Sequence, residues 1–320
     1  MPSKTSGTAY AFIALFILAI IWGYNWVVMK YALQFAGPFE FSAMRTFFGA
    51  LCLMAMLILL RRPLRPIEVP TLILLGLLQT AGFTGLISWA LVAGGAGKTA
   101  VLTYAMPFWV MMLAWPMLGE KIRGTQWLAV ICSITGLVFI LDPLHLGADI
   151  ISMMLAIAAS ICWALAVIVA KKLHHRAPDV DLLSLTAWQM LFGSLPLVIA
   201  AFLVPAAPIQ WTAGLIIAVL FNAVLCNALA WVLWLYALQK LETGVASMTS
   251  MLTPVIGVLA AWWQLGEQPY TLEIIGMILI GLSLMIISSD PCAGMKKWTL
   301  RWVRIRVCRD RIRCIASFRD

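Results

Sequence analysis

Two stretches of this chain repeat the same pattern of residues, the first beginning at Leu91 and the second at Leu238. At a constant separation of 147 residues they share Leu91 and Leu238, Gly97 and Gly244, Pro107 and Pro254, Ala114 and Ala261, Trp115 and Trp262, Leu118 and Leu265, and the pairs Gly119-Glu120 and Gly266-Glu267. A tryptophan also stands eight residues before a lysine in each half, at Trp22 and at Trp163. The sequence therefore predicts two copies of one structural unit, which in membrane proteins is typical of transporters whose site lies between the copies.

The composition excludes an ordinary soluble domain. Of the 320 residues, 63% are hydrophobic and 11% are charged, whereas soluble chains carry about 25% charged residues. The mean hydropathy is +0.99. We therefore expect a polytopic membrane protein.

Positive charge is concentrated at the C-terminal end. Residues 291–320 contain nine Lys or Arg and two Asp, which leaves the rest of the chain close to neutral. A face that binds duplex nucleic acid cannot be built from helices immersed in lipid, so we expect no nucleic-acid partner and place the basic tail against anionic lipid head groups. The tail is also open to a second interpretation, as an extension with no selected function.

A helix needs roughly 20 apolar residues to cross a bilayer, and charges, prolines and glycines divide the chain into ten such runs. These runs are 9–29, 39–60, 70–92, 98–118, 125–141, 149–170, 183–204, 212–237, 244–265 and 271–289. Five runs per repeat is an odd number, so the second copy must enter the membrane from the side opposite to the first. We predict an all-α membrane protein with ten transmembrane helices in two inverted five-helix repeats, at 1–142 and 143–290, followed by a cytoplasmic tail at 291–320.

Loop charges predict the orientation, because lysine and arginine accumulate in the cytoplasmic loops of membrane proteins. The side that holds both termini also holds Arg61, Arg62, Arg65, Lys121, Arg123, Lys171, Lys172, Arg176 and Lys240. The loops of the opposite side offer only Lys30 and Lys98. We therefore predict a multi-pass protein with both termini in the cytoplasm.

Pro107 and Pro254 occupy equivalent positions inside the fourth and ninth runs. A proline lacks the backbone donor and clashes with the carbonyl four residues earlier, so the carbonyls near Thr103 and Ser250 are freed for water, hydroxyls or a ligand. Mirrored interruptions of this kind indicate a transporter site and its gating elements. The alternative is a pair of packing kinks.

Polar and aromatic side chains within the other runs indicate the faces of a cavity. An amide in a membrane helix avoids lipid, and it either bonds to a neighbouring helix or holds a solute. We predict a substrate site whose uncharged members are the amides Asn25, Gln79 and Asn227 and the aromatic residues Phe83, Tyr104, Trp163 and Trp231.

Charged residues near the outer side add to this site. Arg45 lies several residues inside the second run, where a guanidinium costs about 2–3 kcal/mol unless it snorkels or pairs. Together with Lys30 and Lys98 it is a candidate for attracting a carboxylate or phosphate group, and the alternative is that Arg45 snorkels or pairs with Glu40. We interpret Glu120 and Glu267 as groups that cap helix ends and anchor loops rather than as proton carriers.

Nothing in the sequence indicates a catalytic centre, a metal site or a cofactor. Cys308 and Cys314 lack the CxxC or histidine spacing of a zinc site. The segment GGAGKT at 94–99 is not a P-loop, because position 92 is valine where that motif needs its first glycine. We therefore predict a protein without enzyme activity that needs no metal and no cofactor.

Four features follow one another in a characteristic order: Trp22-Gly23-x-Asn25 ending at Lys30, Arg45, Pro107 followed by Gly119-Glu120, and Pro254 followed by Gly266-Glu267. In this order the chain closely resembles the drug/metabolite transporter superfamily and, within it, the two-domain EamA-type permeases, over roughly residues 9–290. The second half departs from the first at Ala164, Ala166 and Gln189, which suggests a site that draws unequally on the two halves. The resemblance implies a ten-helix carrier of the cell inner membrane that exports amino acids, related metabolites or toxic compounds by alternating access.

The residues themselves favour a small zwitterion or an organic anion with an apolar side group, so amino acids and their derivatives are our first hypothesis for the solute. Export of hydrophobic cations or drugs is the alternative within transport. A membrane enzyme would need a nucleophile or metal cluster, which the sequence lacks. A channel remains an alternative that saturable counterflow would separate from a carrier.

Overall fold

The computed structural model describes residues 4–119, 124, 126–141, 150–177, 179–240 and 252–289. The regular structure in these ranges is entirely helical. We label the helices in chain order as α1 (Lys4–Ala32), α2 (Pro38–Leu59), α3 (Val69–Ala93), α4 (Ala96–Leu118), α5 (Gln126–Leu141), α6 (Ile150–Arg176), α7 (Leu182–Leu203), α8 (Ala213–Ala237), α9 (Leu252–Leu265) and α10 (Thr271–Ser289).

Seven of these helices, α1 to α4 and α6 to α8, are long and apolar enough to cross a membrane, and α5, α9 and α10 contribute shorter apolar segments. The predicted apolar runs fall on these helices, although residues 244–251 of the ninth run lie outside the described ranges. Large apolar side chains cover the outside of the bundle, for example Ile199 at 58% and Phe202 at 86% exposure. A surface of this kind suits lipid and would be unstable in water.

Helix ends follow local chemistry. The amide of Gly37, which precedes Pro38 at the start of α2, donates to Glu40 Oε2 at 2.9 Å. The start of α7 is capped by Asp181, whose Oδ1 accepts from the amide of Ser184 at 2.9 Å. Helices α4 and α9 are followed by Gly119 and Gly266, with φ of 69° and 68°. The repeated Gly-Glu pairs thus supply the same left-handed stop in both halves.

The two halves pack against each other in equivalent pairs. Helix α2 packs on its counterpart α7, and α5 packs on its counterpart α10. The contact between α1 and α9 has its equivalent between α6 and α4, and the contact between α1 and α8 has its equivalent between α6 and α3. Approximate twofold symmetry therefore relates the two halves in space as well as in sequence.

Two of these contacts depend on glycine. At Gly76 of α3, a Cβ atom would lie 2.6 Å from the carbonyl oxygen of Gln189 in α7. At Gly276 of α10, a Cβ atom would lie 2.7 Å from the carbonyl oxygen of Gly136 in α5. Glycine is needed at both places because the backbones approach too closely for a side chain.

A feature that the sequence did not predict is a π-helical segment in the third helix of each half, at Gly76–Gly82 in α3 and at Phe221–Leu229 in α8. The separation of 147 residues carries Gly82 onto Leu229, so the two segments end at equivalent positions. Short π-helical segments inside α-helices are frequently found at functional sites. Both segments border the side chains described next.

Candidate functional site

Three aromatic residues predicted to bind the solute meet at one place. The ring of Trp163 in α6 lies 5.0 Å from that of Phe83 in α3 and 5.9 Å from that of Tyr104 in α4. Phe83 directly follows the π segment of α3, and Tyr104 ends the first half of α4. We call these three residues the aromatic cluster, and it joins two helices of the first half to one helix of the second.

Helix α4 is interrupted beside this cluster. Its first part ends at Tyr104 and its second part begins at Met106, with Ala105 between them and Pro107 in the first turn of the second part. The hydroxyl of Thr103 donates to the carbonyl of Thr99 at 2.7 Å within the first part. The break therefore lies two residues before Pro107. The equivalent Pro254 lies buried in the first turn of α9, and residues 241–251 before this helix are outside the described ranges.

Arg45 is buried in α2, with 6% of its surface exposed. Its Nη1 donates to the sulfur of Met29 at 2.9 Å, and its guanidinium carbon lies 5.9 Å from the centre of the Phe41 ring. Among the described residues no carboxylate pairs with it, and its Nε has no hydrogen-bond partner. Glu40 caps the start of α2 instead, so the pair that the sequence allowed between Glu40 and Arg45 does not form.

Two predicted amides lie beside Arg45. Asn25 in α1 donates through Nδ2 to the same sulfur of Met29 at 3.2 Å, and its Oδ1 is buried without a partner in the described part of the chain. Asn227 in α8 donates to the backbone carbonyl of Arg45 at 2.8 Å. Asn227 thus joins α8 to α2, while Asn25 keeps an acceptor available.

The remaining predicted residues make contacts between helices. Gln79 accepts a hydrogen bond from Gln189 at 3.3 Å, between α3 and α7. Lys98 at the start of α4 forms a 2.6 Å ion pair with Glu273 at the start of α10. The ring of Trp231 lies 5.9 Å from that of Trp22, edge to face. These contacts favour a structural role for Gln79, Lys98 and Trp231, which the sequence had left open.

Glu267, from the repeated Gly-Glu pair, holds the start of α4. Its two carboxylate oxygens accept from the amides of Ala96 at 2.8 Å and Gly97 at 3.0 Å. A carboxylate at a helix N-terminus satisfies unpaired amides and interacts favourably with the helix dipole. The structure confirms the capping interpretation for Glu267, and Glu120 lies outside the described residues.

Replacement of Glu267 by alanine is expected to destabilise the protein by about 1–2 kcal/mol, because two amides of α4 lose their acceptor. The midpoint of thermal unfolding in detergent measures this effect. The exposed Asp179 supplies the control variant Asp179→Ala, which is expected to leave the midpoint nearly unchanged. Equal midpoints for the two variants would show that the cap contributes nothing.

A cavity of about 370 Å³ lies apart from these side chains, between the α1–α2 connection and the α7–α8 connection. Its lining includes Phe35, Phe39, Trp89, Pro208 and Gln210, and includes neither Arg45 nor the aromatic cluster. In this structure the cavity stops short of both.

Comparison with known proteins decides the family. Residues 9–142 and 150–289 both match the model of the EamA-like transporter family. The chain belongs to this family. The resemblance noted from the sequence is thereby confirmed, and the helices described above are those of a multi-pass membrane transporter.

Two relatives and one solved structure add to this. An uncharacterized transporter of Bacillus subtilis, YoaV, is 30% identical over 270 residues, which cover 82% of this chain and 91% of that protein. A probable amino-acid metabolite efflux pump of Salmonella typhimurium is 27% identical over 286 residues, covering 86% and 93%. A solved structure aligns with a TM-score of 0.61 at 14% identity over 87% of this chain and 96% of its own, which shows the common fold.

The sequence placed Met29 on the same face of the first helix as Asn25 without making it a site residue, and it gave no indication of Asn222. Met29 is the acceptor that Arg45 and Asn25 share. Asn222 is fully buried in α8, and its Oδ1 has no partner among the described residues. In a regular α-helix Asn222 and Asn227 would point in different directions, but a π turn brings residues five apart onto one face. The sequence contains no local signal for the π segment, and for this reason Asn222 was not predicted.

Proposed function

We propose that this chain is a secondary transporter that exports amino acids or related small metabolites by alternating access. The aromatic cluster is the observation that carries the proposal. Its rings come from α3, α4 and α6, so a solute held there contacts both halves of the chain. Aromatic rings supply large apolar contact surfaces, and Tyr104 and Trp163 add a polar group each, which suits an apolar side chain on a polar solute.

One named relative supports export. The Salmonella typhimurium relative is named a probable amino-acid metabolite efflux pump, and the alignment spans 93% of it. An identity of 27% supports the class of solute without specifying a particular one. Enzyme activity, a metal and a cofactor have no place in this proposal.

The proposed mechanism uses the pairing of the two halves. We place ten helices across the membrane as two inverted five-helix repeats, at 1–142 and 143–290, with the aromatic cluster at their interface. The break at Ala105 allows α4 to bend, because its hydrogen-bond ladder is interrupted there. Pro254, at the equivalent position in the second half, lies in the first turn of α9 and removes one backbone donor there. Bending of α4 and α9 would open the cluster to one side of the membrane at a time.

We place the protein in the cell inner membrane with both termini in the cytoplasm. Its basic tail at 291–320 then lies against anionic head groups. A green fluorescent protein fused after Asp320 should fluoresce, and an alkaline phosphatase fused there should be inactive, because the first folds in the cytoplasm and the second outside it. The opposite pattern would overturn the orientation and, with it, the assignment of Arg45 to the outer half of α2.

The proposed function is tested by the solutes that cells release. Cells that overproduce the protein should accumulate one amino acid or a few related metabolites in the medium, relative to cells that produce the Trp163→Ala variant at the same abundance. A medium that is identical for both across the panel would contradict export of this class of solute.

Export of hydrophobic toxic compounds is the second candidate, because three rings without a carboxylate would also hold a drug. A growth screen against such compounds separates the two. Protection that depends on Trp163 and is indifferent to Arg45 would favour drug export, whereas release of an amino acid that needs both residues favours the first proposal.

A further inference from the structure

The polar side chains around Met29 contain a mismatch between donors and acceptor. Arg45 Nη1 and Asn25 Nδ2 converge on one atom, the sulfur of Met29, at 2.9 and 3.2 Å. A thioether sulfur is a weak acceptor, and 2.9 Å is the usual separation of a nitrogen donor and an oxygen acceptor. The position of this sulfur is therefore one that an oxygen would occupy more favourably.

The guanidinium of Arg45 makes this mismatch costly. It is 94% buried, and in the described part of the chain it pairs with no carboxylate. A buried charge is stable only when it is paired and hydrogen-bonded. Its Nε also lacks a partner among the described residues, so the guanidinium has a second donor without an acceptor in this part of the chain.

An acceptor for a positive group lies beside this cation. The Oδ1 of Asn25 is buried and unpartnered in the same part of the chain. The donors of Arg45 and Asn25 suit a carboxylate, and the neutral Oδ1 of Asn25 suits an ammonium group. These groups are adjacent because Asn25 supplies both a donor and the acceptor. This arrangement complements the two charges of a zwitterion.

The apolar surroundings connect this polar group to the aromatic cluster. Met29 and Phe41, which both contact Arg45, belong to one buried apolar core, and Phe83 and Tyr104 pack against the same core. A solute whose charged end reaches Arg45 can therefore extend its side chain toward the rings.

We propose that Arg45 and Asn25 form the carboxylate subsite for an α-amino acid with an apolar side chain, and that the sulfur of Met29 fills this subsite until the carboxylate displaces it. This proposal rests on the proposed transport function and specifies the solute. A carboxylate oxygen takes the place of the sulfur between Arg45 Nη1 and Asn25 Nδ2, and the ammonium group donates to Asn25 Oδ1. Met29 thereby keeps the empty site closed without a strong bond that would resist the solute.

The test measures the thermal stabilisation of the purified full-length protein by L-leucine, L-phenylalanine and the amide of each. A ligand that binds only the folded state raises the unfolding midpoint in proportion to its affinity. The amino acids should stabilise the wild type and the amides, which lack the carboxylate, should bind at least tenfold more weakly. Arg45→Gln should remove the preference for the acid, while the exposed control Arg65→Gln keeps it.

Met29→Leu is expected to change the affinity in the opposite direction, and it tests the proposal even if Arg45→Gln fails to fold. Leucine keeps the volume of methionine but offers no acceptor, so the carboxylate no longer competes with a sulfur and the affinity for the amino acids should rise severalfold. A merely structural role of Met29 would lower the affinity or leave it unchanged, and either result would overturn the proposal.

The two proposals fail in different ways. Equal affinity for acids and amides, or unchanged affinity in Arg45→Gln, would overturn the carboxylate subsite while release of amino acids from cells left the transport function standing. An absence of both binding and release would overturn the two together.

Discussion

Cells that produce Trp163→Ala are expected to export the solute about tenfold more slowly than cells that produce the wild type, at equal abundance in the membrane. Trp163 is the ring shared by both contacts of the aromatic cluster, 5.0 Å from Phe83 and 5.9 Å from Tyr104. Aromatic pairs contribute about 0.5–1.5 kcal/mol each beyond their buried area, and about 1.4 kcal/mol corresponds to a factor of ten. Efflux from preloaded cells measures the rate.

The control for this prediction is Trp127→Ala. Trp127 lies on α5 with 49% of its surface exposed, outside the aromatic cluster, and its loss should leave efflux within about twofold of the wild type. Equal rates for Trp163→Ala and the wild type would place the solute elsewhere. Equal losses in both tryptophan variants would indicate a general effect on folding.

The second large effect is on stability. Gly76→Ala is expected to destabilise the protein by about 3 kcal/mol, because the new methyl group would lie 2.6 Å from the carbonyl oxygen of Gln189 and 2.7 Å from the amide nitrogen of Gly193. Both neighbours are backbone atoms of α7 and cannot move aside by changing a rotamer. The unfolding midpoint and the yield of monodisperse protein in detergent should both fall.

Gly281→Ala is the matched control, because a Cβ atom at Gly281 of α10 meets no atom of the described residues within 4 Å. Alanine favours a helix over glycine by about 1 kcal/mol, so this variant should be as stable as the wild type or slightly more so. A Gly76→Ala protein that is as stable as Gly281→Ala would contradict the close packing of α3 on α7.

The sequence was sufficient for features that depend on local patterns. The apolar runs predicted the helices, and the repeated Gly-Glu pairs marked the ends of α4 and α9, because a left-handed residue after a helix calls for glycine wherever the chain folds. Trp163 was recognised as a candidate because it lies too deep in its apolar run to belong to the interfacial belt. Phe83 was a candidate because it shares a helical face with Gln79, and Tyr104 because it precedes Pro107. The structure adds that these three side chains are neighbours.

Features that depend on distant partners could not be predicted. The residues Gln79 and Gln189 are 110 positions apart, and a single sequence contains no signal that they pair. The ion pair of Lys98 with Glu273 joins helices from different halves in the same way. The π segments change which residues share a face, so helical periodicity alone could not assign Asn222 to the face of Asn227.

The structure reduces the number of roles that the sequence allowed for Arg45. The sequence allowed this guanidinium to snorkel, to pair with Glu40 or to attract an anion. In the structure it is 94% buried, and Glu40 is committed to the amide of Gly37. Snorkelling and the pair with Glu40 are thus excluded in this conformation, and the convergence of Arg45 and Asn25 on a sulfur supports the third possibility.

The most direct test of the account is entrance counterflow of radiolabelled amino acids in proteoliposomes that contain the purified protein. With unlabelled L-leucine or L-phenylalanine inside, we expect the labelled amino acid to accumulate transiently above its equilibrium level, to saturate with concentration, and to lose this overshoot in the Trp163→Ala protein. A carrier that exposes one site to each side in turn produces this overshoot, and a pore does not. Uptake that rises linearly with concentration and never overshoots, for these and every other amino acid of the panel, would contradict the proposed amino-acid exporter.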